Sequence, residues 1–371
     1  MPGVLGDLGT ACESLLNRVA AWSQDAGRNI LLSLIMSYQP DAALRSFIQS
    51  LPKTETHLHL EGSMPLALCQ RVDPVVFAQP PRYWADDYRF DGFAEFQELF
   101  DRYFFEWYVS PEAYHESCQA IFRDLVAQNC VYLECSFHLG TVERTRASMR
   151  AIARAIHAPC PPDLELRLFL GIFRDHYHGR FAEVIEEAIT WDEIAGLDLH
   201  GFENPVFQPW SVDVWARARA NGKTLKAHAG EFSGPDDVRR AVTDLGVRRV
   251  QHGLSALDDP AVMDLLREHD VTLDLTPISN VKLRAVPSMR EHPIRRFMDA
   301  GVRCTVSTDD PMVFGNSLNE EYAALAIDTG LSRAELARIA ANGFEVADLP
   351  PGVKAGYLSR LARAAEGSEE T

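Results

Sequence analysis

From residue 53 onward, short runs of β-branched and apolar residues alternate with stretches in which apolar positions recur every three or four residues. The short runs predict strands, and the periodic stretches predict helices. Helical patterns at 111–128, 235–246 and 259–269 open with Pro or Asp, which are typical of helix starts. Eight strands are predicted, at residues 54–60, 130–137, 165–172, 194–200, 223–228, 248–252, 271–275 and 302–308. This alternation indicates an α/β fold, a (β/α)8 TIM barrel.

Two regions stand outside the repeating units. Residues 1–50 precede the first strand and show helical spacing, so we expect a helical N-terminal extension followed by a barrel domain at 51–371. The long interval after the first strand contains an aromatic-rich stretch at 83–108, which predicts a helical insertion. Core packing explains most of these rings, and an insertion after a barrel strand is also a common source of an active-site lid. An open doubly wound sheet is disfavoured because no Gly-rich turn follows residue 60.

Histidines and acids cluster at the predicted strand ends. His57 and His59 lie two apart in the first strand, so both side chains leave on one face. An isolated pair of this kind is more often structural than metal-binding. In a barrel of this type, however, the chemistry lies at the carboxyl ends of the strands. Those ends also carry His228 and Glu231 after strand five, His252 after strand six, and Asp309 and Asp310 after strand eight. Three histidines and a carboxylate predict a zinc site that leaves one position for water.

The remaining polar groups at these ends suit a hydrolytic reaction. We expect His252 to act as a general base or electrostatic partner of the water, and Glu231 to act as an acid if burial raises its pKa. Asp310 could face away from the metal and hydrogen-bond the substrate. A second HxH at 175–178 lies beyond the third strand and is a weak metal candidate. The PCPP segment at 159–162 lacks the second cysteine of cytidine-type zinc deaminases, which excludes that class.

Charge and cysteine content narrow the possible partners. The net charge of −17 would repel a polyanion, so nucleic acid is not expected as a partner and a small neutral substrate is. The seven cysteines form no CxxC pair, which is typical of reduced thiols in a cytoplasmic protein. No apolar run near the N-terminus is long enough to span a bilayer, so neither a signal peptide nor a membrane segment is expected. A homo-oligomer remains compatible with the sequence.

Five segments together identify a resemblance. The sequence resembles the adenosine/adenine deaminase family of the amidohydrolase superfamily over residues 51–345, in the order LPKTETHLHLEGSMP, KAHAGEFSGPDD, RVQHGLSALDDP, TPISNVKLRAVPSMREHPI and STDDPMVFGNSLNEEY. The resemblance implies a (β/α)8 barrel and one zinc ion per chain, held by His57, His59, His228 and Asp309. It implies that Glu231 protonates a purine ring nitrogen and that His252 positions the hydroxide. It further implies that Asp310 and the backbone N–H of Gly201 hydrogen-bond the purine.

The family motifs leave the substrate open among aminopurines. Enzymes of the family that act on adenosine commonly carry Asp where this chain has Glu61, and the longer acid resembles the adenine-deaminase branch, as does SNVKL at 279–283. The STDDPMVFGNSLNEEY segment is closer to nucleoside-acting branches, including those that deaminate 6-aminodeoxyfutalosine. We expect an aminopurine nucleoside, with free adenine and 6-aminodeoxyfutalosine as alternatives. His200 and Phe202 depart from the family pattern, which leaves open another cyclic amine or amide as substrate. A noncatalytic binding protein is the third hypothesis.

Overall fold

A computed structural model describes residues 38–204 and 207–366. Its eight strands are all parallel and pair in chain order, from β1 next to β2 through to β7 next to β8. They are β1 (Lys53–His59), β2 (Cys130–His138), β3 (Glu165–Phe173), β4 (Gly196–His200), β5 (Thr224–Ala229), β6 (Arg249–His252), β7 (Thr272–Leu275) and β8 (Arg303–Val306). The predicted (β/α)8 barrel is confirmed.

The last strand ends earlier than predicted. Val306 is its final residue, and the chain leaves the ladder before it returns to β1 through a parallel bridge between Leu58 and Asp309. There, the N–H of Asp309 donates to the carbonyl of His57 at 2.9 Å, and the N–H of His59 donates to the carbonyl of Asp309 at 3.0 Å. These two bonds join the last strand segment to the first at the carboxyl end of the barrel.

Helices follow the strands and cover them. The predicted helices at 111–128, 235–246 and 259–269 are present, as Pro111–Ala127, Pro235–Thr243 and Pro260–Glu268. The α-helices are α1 (Ala42–Ser50), α2 (Leu66–Val72), α3 (Phe93–Leu99), α4 (Phe105–Trp107), α5 (Pro111–Ala127), α6 (Met149–His157), α7 (Gly179–Ala188), α8 (Pro209–Ala220), α9 (Pro235–Thr243), α10 (Pro260–Glu268), α11 (Pro277–Lys282), α12 (Ile294–Asp299), α13 (Pro311–Phe314), α14 (Leu318–Asp328), α15 (Arg333–Val346) and α16 (Pro351–Glu366).

Local sequence sets several helix starts. Ser110 accepts a hydrogen bond from the N–H of Ala113 and precedes Pro111, so the first turn of α5 has both an N-cap and a residue that needs no N–H partner. Ser332 and Glu335 form a capping box at the start of α15, where each side chain accepts from the other residue's backbone N–H. Local side chains therefore determine where α5 and α15 begin.

A buried polar layer fills the barrel interior. Lys226 and Arg249 contact Glu134 at 2.5 and 3.2 Å, and Arg249 also contacts Asp274 at 2.8 Å. Lys226 donates a further hydrogen bond to the carbonyl of Thr56 at 2.6 Å. The two cations and two carboxylates balance one another, which is the condition for placing charge inside a barrel. This layer positions β1, β2, β5, β6 and β7 against one another.

The long connection between β1 and β2 contains α2 to α5 and a π-helical turn, Phe100–Phe104. This is the predicted aromatic insertion, and several of its rings line a cavity at the carboxyl ends of the strands. The predicted N-terminal extension is described only in part: α1 lies in it, and residues 1–37 lie outside the described residues. Among the described residues, no helix has the length and apolar character that crossing a membrane requires. The described cysteines are free thiols, and Cys12 lies outside them.

The Gly196→Ala substitution tests the strand pairing. A Cβ at Gly196 would overlap the backbone carbonyl oxygen of Thr224, the paired residue of β5. Because backbone cannot move aside without breaking the ladder, we expect a loss of about 2 kcal/mol or more in the free energy of unfolding, measured by urea denaturation. Gly356→Ala, in the exposed interior of α16, is the control and should stabilise by up to about 1 kcal/mol. Equal stability of the two variants would contradict the register.

Candidate metal centre and substrate cavity

Four side chains from three parts of the chain converge above the polar layer. One ligand atom from each lies within 4.8 Å of the others, and all four residues are buried. His57 Nε2 lies 3.1 Å from His228 Nε2 and 3.4 Å from Asp309 Oδ1, and His59 Nε2 lies 3.3 Å from the same oxygen. The structure therefore brings together the four predicted metal ligands: His57, His59, His228 and Asp309.

Strand geometry explains the convergence. His57 and His59 leave β1 on the same side because they are two residues apart, and His228 lies near the end of β5 across the barrel. Asp309 is held by its bridge to β1 with φ of +65°, a left-handed conformation that is uncommon for a residue other than glycine. His252 has φ of +64° at the end of β6. Such local strain is typical of functional positions, where the surrounding structure imposes it.

Each ligand is oriented by a neighbouring polar group. His59 Nδ1 lies 2.8 Å from Ser136 Oγ, His57 Nδ1 lies 3.3 Å from the carbonyl oxygen of Asp274, and His228 Nδ1 lies 3.3 Å from Asp198 Oδ1. Ser279 donates a hydrogen bond of 2.6 Å to Asp309 Oδ2. In each histidine this leaves Nε2 directed at the centre, as in metal sites where an outer partner fixes the tautomer.

The donor set fits a divalent transition metal. Three imidazole nitrogens and one carboxylate oxygen at these separations match a site with few protein ligands and room for water or substrate. Burial alone would raise the pKa of Asp309, but His57 and His59 outweigh burial and hold this pKa well below its usual range. Burial lowers the pKa of His57 well below its usual range. A neutral imidazole and an ionised carboxylate are the forms that bind metal.

Glu231 and His252 form a second group beside the ligands. His252 Nε2 lies 3.4 Å from Glu231 Oε2, and the Asn280 amide donates to Glu231 Oε1 at 3.1 Å and lies 3.0 Å from His252 Nδ1. Burial, with the negative charge of Asp309 nearby, raises the pKa of Glu231 well above its usual range. A raised pKa favours the protonated form of Glu231, which its predicted role as an acid requires.

Glu203 and Arg174 hold the segment that carries Glu231. The Glu203 carboxylate accepts hydrogen bonds from the backbone N–H groups of Glu231, Phe232 and Ser233 at 3.0, 2.8 and 2.6 Å. Arg174 donates to the carbonyl oxygens of Glu203 and His228 and forms an ion pair with Asp237. The acid thus has a fixed backbone position relative to the ligand His228.

The predicted substrate-binding residues lie around the same space. Asp310 is buried, and its Oδ1 has no hydrogen-bond partner among the described residues. Burial and the charge of Asp309 raise the pKa of Asp310 well above its usual range, so its carboxyl group can donate. Glu61 Oε1 accepts from the hydroxyl of Tyr114 and from the backbone N–H of His138. Gly201 has φ of +80° at the end of β4 and lines the cavity.

The cavity is lined mostly by aromatic side chains apart from the groups named above. The insertion after β1 contributes the rings of Phe93, Phe96, Phe100 and Phe105, and Phe173 and Leu283 complete the apolar wall. No lysine or arginine is among the lining residues in the described part of the chain. A flat apolar ring with polar edges suits this space better than an anionic group does.

Sequence reasoning missed several residues that act at this centre. Ser136, Asp198, Ser279 and Asn280 contact the ligands or Glu231, and only the SNVKL segment carried a signal for the last two. His138 also lines the cavity but was not predicted as a site residue, whereas His200 was noted only as a departure from the family pattern. His176 and His178 of the second HxH belong to no candidate metal cluster of the described residues, which agrees with their prediction as weak metal candidates.

Comparisons with known proteins agree with this geometry. Residues 52–364 match the family model described as adenosine deaminase. The chain is 32% identical to an adenine deaminase of Rhodospirillum rubrum, over 85% of this chain and 98% of that protein. It is also 32% identical to an aminodeoxyfutalosine deaminase of Streptomyces avermitilis, over 86% and 92%. A solved Burkholderia ambifaria amidohydrolase with bound Zn has a TM-score of 0.77 at 23% identity, over 90% of this chain and 97% of that one.

Asp198→Asn tests how the centre is built. The substitution keeps the size of the side chain but removes the charge that faces His228 Nδ1, so we expect metal affinity to fall about 10- to 100-fold. Competition with a chromophoric chelator measures the affinity. Asp213→Asn, which changes an exposed acid paired with Arg217, is the matched control and should leave the metal affinity unchanged. Unaltered affinity in Asp198→Asn would show that this carboxylate does not support the ligand.

Proposed function

Because the chain belongs to the adenosine deaminase family, a family of hydrolytic deaminases, we propose that it converts an uncharged 6-aminopurine, with a nucleoside such as adenosine preferred, into the 6-oxopurine and ammonia in a zinc-dependent reaction. The observation that carries this proposal is the convergence of three histidines and Asp309 beside a protonated Glu231 in one cavity. The reaction adds water at the amino-bearing carbon and releases that amino group.

Zinc is the proposed metal, with one ion per chain held by His57, His59, His228 and Asp309. The three-nitrogen, one-carboxylate donor set supports zinc, and the similar Burkholderia ambifaria structure has zinc bound. Zinc held there supplies a hydrolytic nucleophile at neutral pH. The remaining chemistry belongs to side chains of this protein.

Glu231 donates a proton to the substrate, and His252 hydrogen-bonds at the position of attack. Glu231, protonated because it is buried, donates its proton to the ring nitrogen beside the amino-bearing carbon, which makes that carbon more electrophilic. His252 lies 3.4 Å from Glu231, and burial lowers its pKa to about 3, so it is neutral. Because the Asn280 amide nitrogen faces Nδ1, the proton of His252 is on Nε2, from which it can hydrogen-bond and position the attacking oxygen. Collapse of the tetrahedral adduct, with a proton returned to the amino group, expels ammonia.

Asp310 and Gly201 orient the purine. A protonated Asp310 donates a hydrogen bond to a ring nitrogen on the side away from Glu231. The Gly201 N–H, at the end of β4, donates to the same ring. Gly62 lies against Asp310 so closely that a Cβ there would overlap its carboxylate. These contacts hold the amino-bearing carbon next to the nucleophile.

The cavity supports an uncharged substrate over a nucleotide because its lining lacks lysine and arginine among the described residues. A nucleoside is preferred because Glu61 offers a carboxylate to a sugar hydroxyl. Free adenine is the second candidate, favoured by the length of Glu61 and by the similarity to an adenine deaminase. Similarity to an aminodeoxyfutalosine deaminase keeps 6-aminodeoxyfutalosine as a third.

An ammonia-release screen on zinc-loaded protein tests the function. The substrates are adenine, adenosine, deoxyadenosine, methylthioadenosine, 6-aminodeoxyfutalosine and adenosine monophosphate. We expect turnover of a neutral aminopurine, fastest with a nucleoside. We expect little turnover of the monophosphate, because the described residues that line the cavity include no lysine or arginine. Absence of ammonia from every aminopurine, with zinc bound, would remove the proposed activity.

Glu231→Gln should lower kcat/KM about 100-fold or more while zinc stays bound, because the amide cannot supply the proton. In the parent enzyme Glu231 acts in its protonated form, and burial raises its pKa. Activity should therefore fall as the pH rises through this pKa. The pH dependence of kcat/KM and the zinc content of the variant provide the measurements. Glu183→Gln, an exposed position on α7, is the control; undiminished turnover by Glu231→Gln would exclude the acid role.

A further inference from the structure

Three imidazoles form a continuous line from the metal centre to the cavity wall at the end of β2. His59 Nδ1 lies 3.3 Å from His200 Nδ1, and His200 Nε2 lies 3.0 Å from His138 Nδ1. Both outer histidines are buried and line the cavity. Neither His138 nor His200 has a part in the reaction described above.

The direction of these hydrogen bonds follows from the first ring. His59 directs Nε2 at the metal centre, so a metal ligand at that position carries its proton on Nδ1. The His59 N–H faces both Ser136 Oγ at 2.8 Å and His200 Nδ1 at 3.3 Å. A second N–H facing it at this distance would be repulsive, so His200 Nδ1 is the unprotonated nitrogen and the proton of a neutral His200 is on Nε2. His138 Nδ1 then accepts from His200, so the proton of His138 is on its own Nε2.

The remaining donor is available to a ligand. His138 Nε2 has no hydrogen-bond partner within residues 38–204 and 207–366, and the His138 ring lines the cavity. The His138 ring is stacked on Phe105 with centroids 5.1 Å apart and packs against Phe173 at 4.2 Å. These contacts hold the donor in one orientation before any ligand arrives.

Two glycines make room for the pair of rings. A Cβ at Gly140 would overlap His138 Nε2, and a Cβ at Gly171 would lie 2.7 Å from His200 Cε1. Both glycines have ordinary negative φ values, since neither is among the residues with positive φ. Space for the imidazoles is therefore a reason for glycine at these positions, where backbone conformation does not demand one.

The neighbouring acid completes a donor and acceptor pair. The backbone N–H of His138 donates to Glu61 Oε1, so the carboxylate lies against the residue that carries the imidazole, and both residues line the cavity. His138 is the outermost of the three imidazoles, one ring step of 5.1 Å beyond His200. A group that meets His138 is accordingly remote from the carbon that reacts at the metal centre.

We propose that His138 determines substrate specificity by donating its Nε2–H to an oxygen of a hydroxylated substituent on the aminopurine, with His200 as the positioning residue that fixes its tautomer. The inference rests on the proposed function and deepens it, because it assigns the substrate class to hydroxyl-bearing aminopurines. A hydroxyl both accepts from His138 and donates to Glu61, which matches the pair at this wall.

The kinetic test compares adenosine with adenine. His138→Phe keeps a ring but removes the donor, so the ratio of kcat/KM for adenosine to that for adenine should fall about tenfold. His138→Gln retains an N–H donor and should recover part of the ratio. His178→Phe, at an exposed histidine before α7, is the control and should keep the ratio within about twofold. An unchanged ratio in folded His138→Phe would overturn the assignment.

A second measurement does not depend on turnover. In zinc-loaded protein with ¹⁵N-labelled histidine, the ring nitrogens of His200 and His138 should report protons on Nε2, and His200→Phe should release His138 from that single tautomer. A proton on Nδ1 of His138 in the parent protein would contradict the proposed directions of the hydrogen bonds between the three imidazoles.

Binding of the two reaction products separates this inference from the proposed function. Calorimetry with inosine and hypoxanthine should show that His138→Phe weakens inosine more, by about tenfold. If no aminopurine releases ammonia, the proposed function fails, and selective loss of inosine binding would still support the role of His138. Equal weakening of both products, or no weakening, would refute it.

Discussion

Everything at this centre depends on closure of the barrel between its last and first strand segments. Asp309 reaches His57 and His59 only because its backbone N–H and carbonyl bond to the carbonyl of His57 and the N–H of His59. Closure also brings β5 across the barrel, so that His228 Nε2 lies 3.1 Å from His57 Nε2. The polar layer below keeps these strands in register through ion pairs that exclude apolar repacking. A metal centre of widely separated residues is thus a property of the whole sheet.

Neighbouring side chains shift the pKa values of the buried acids in this cavity in opposite directions. Asp309 is surrounded by imidazoles and stays ionised, whereas Asp310, its neighbour in sequence, has a raised pKa because burial and the charge of Asp309 act together. The pKa of Glu231 is raised for the same two reasons, burial and the charge of Asp309. One carboxylate therefore suits metal binding while the other two can give hydrogen bonds or protons. The separation of roles comes from the side chains that face each group.

The sequence predicted the parts of this protein that follow from periodicity and topology. The two-residue spacing of His57 and His59 fixed their common direction, and the rule that parallel strands end together placed His228 and Asp309 near them. The line from His59 to His138 could not be predicted, because its contacts depend on strand register and on the space above Gly140 and Gly171. The end of β8 was extended too far by its apolar pattern, since the turn that aims Asp309 is set by the bridge to β1.

The left-handed backbone at His252 and Asp309 restricts which sequences can drift into these positions. Asn, Asp, His and Gly tolerate that conformation, whereas β-branched residues are strongly disfavoured there. Of these tolerated residue types, only a few can also supply a metal ligand at position 309 or an uncharged hydrogen-bonding side chain at position 252. Backbone conformation and chemistry therefore restrict the same two positions independently. Related proteins that have lost the reaction should still have Asn, Asp, His or Gly at these positions after other metal ligands have changed.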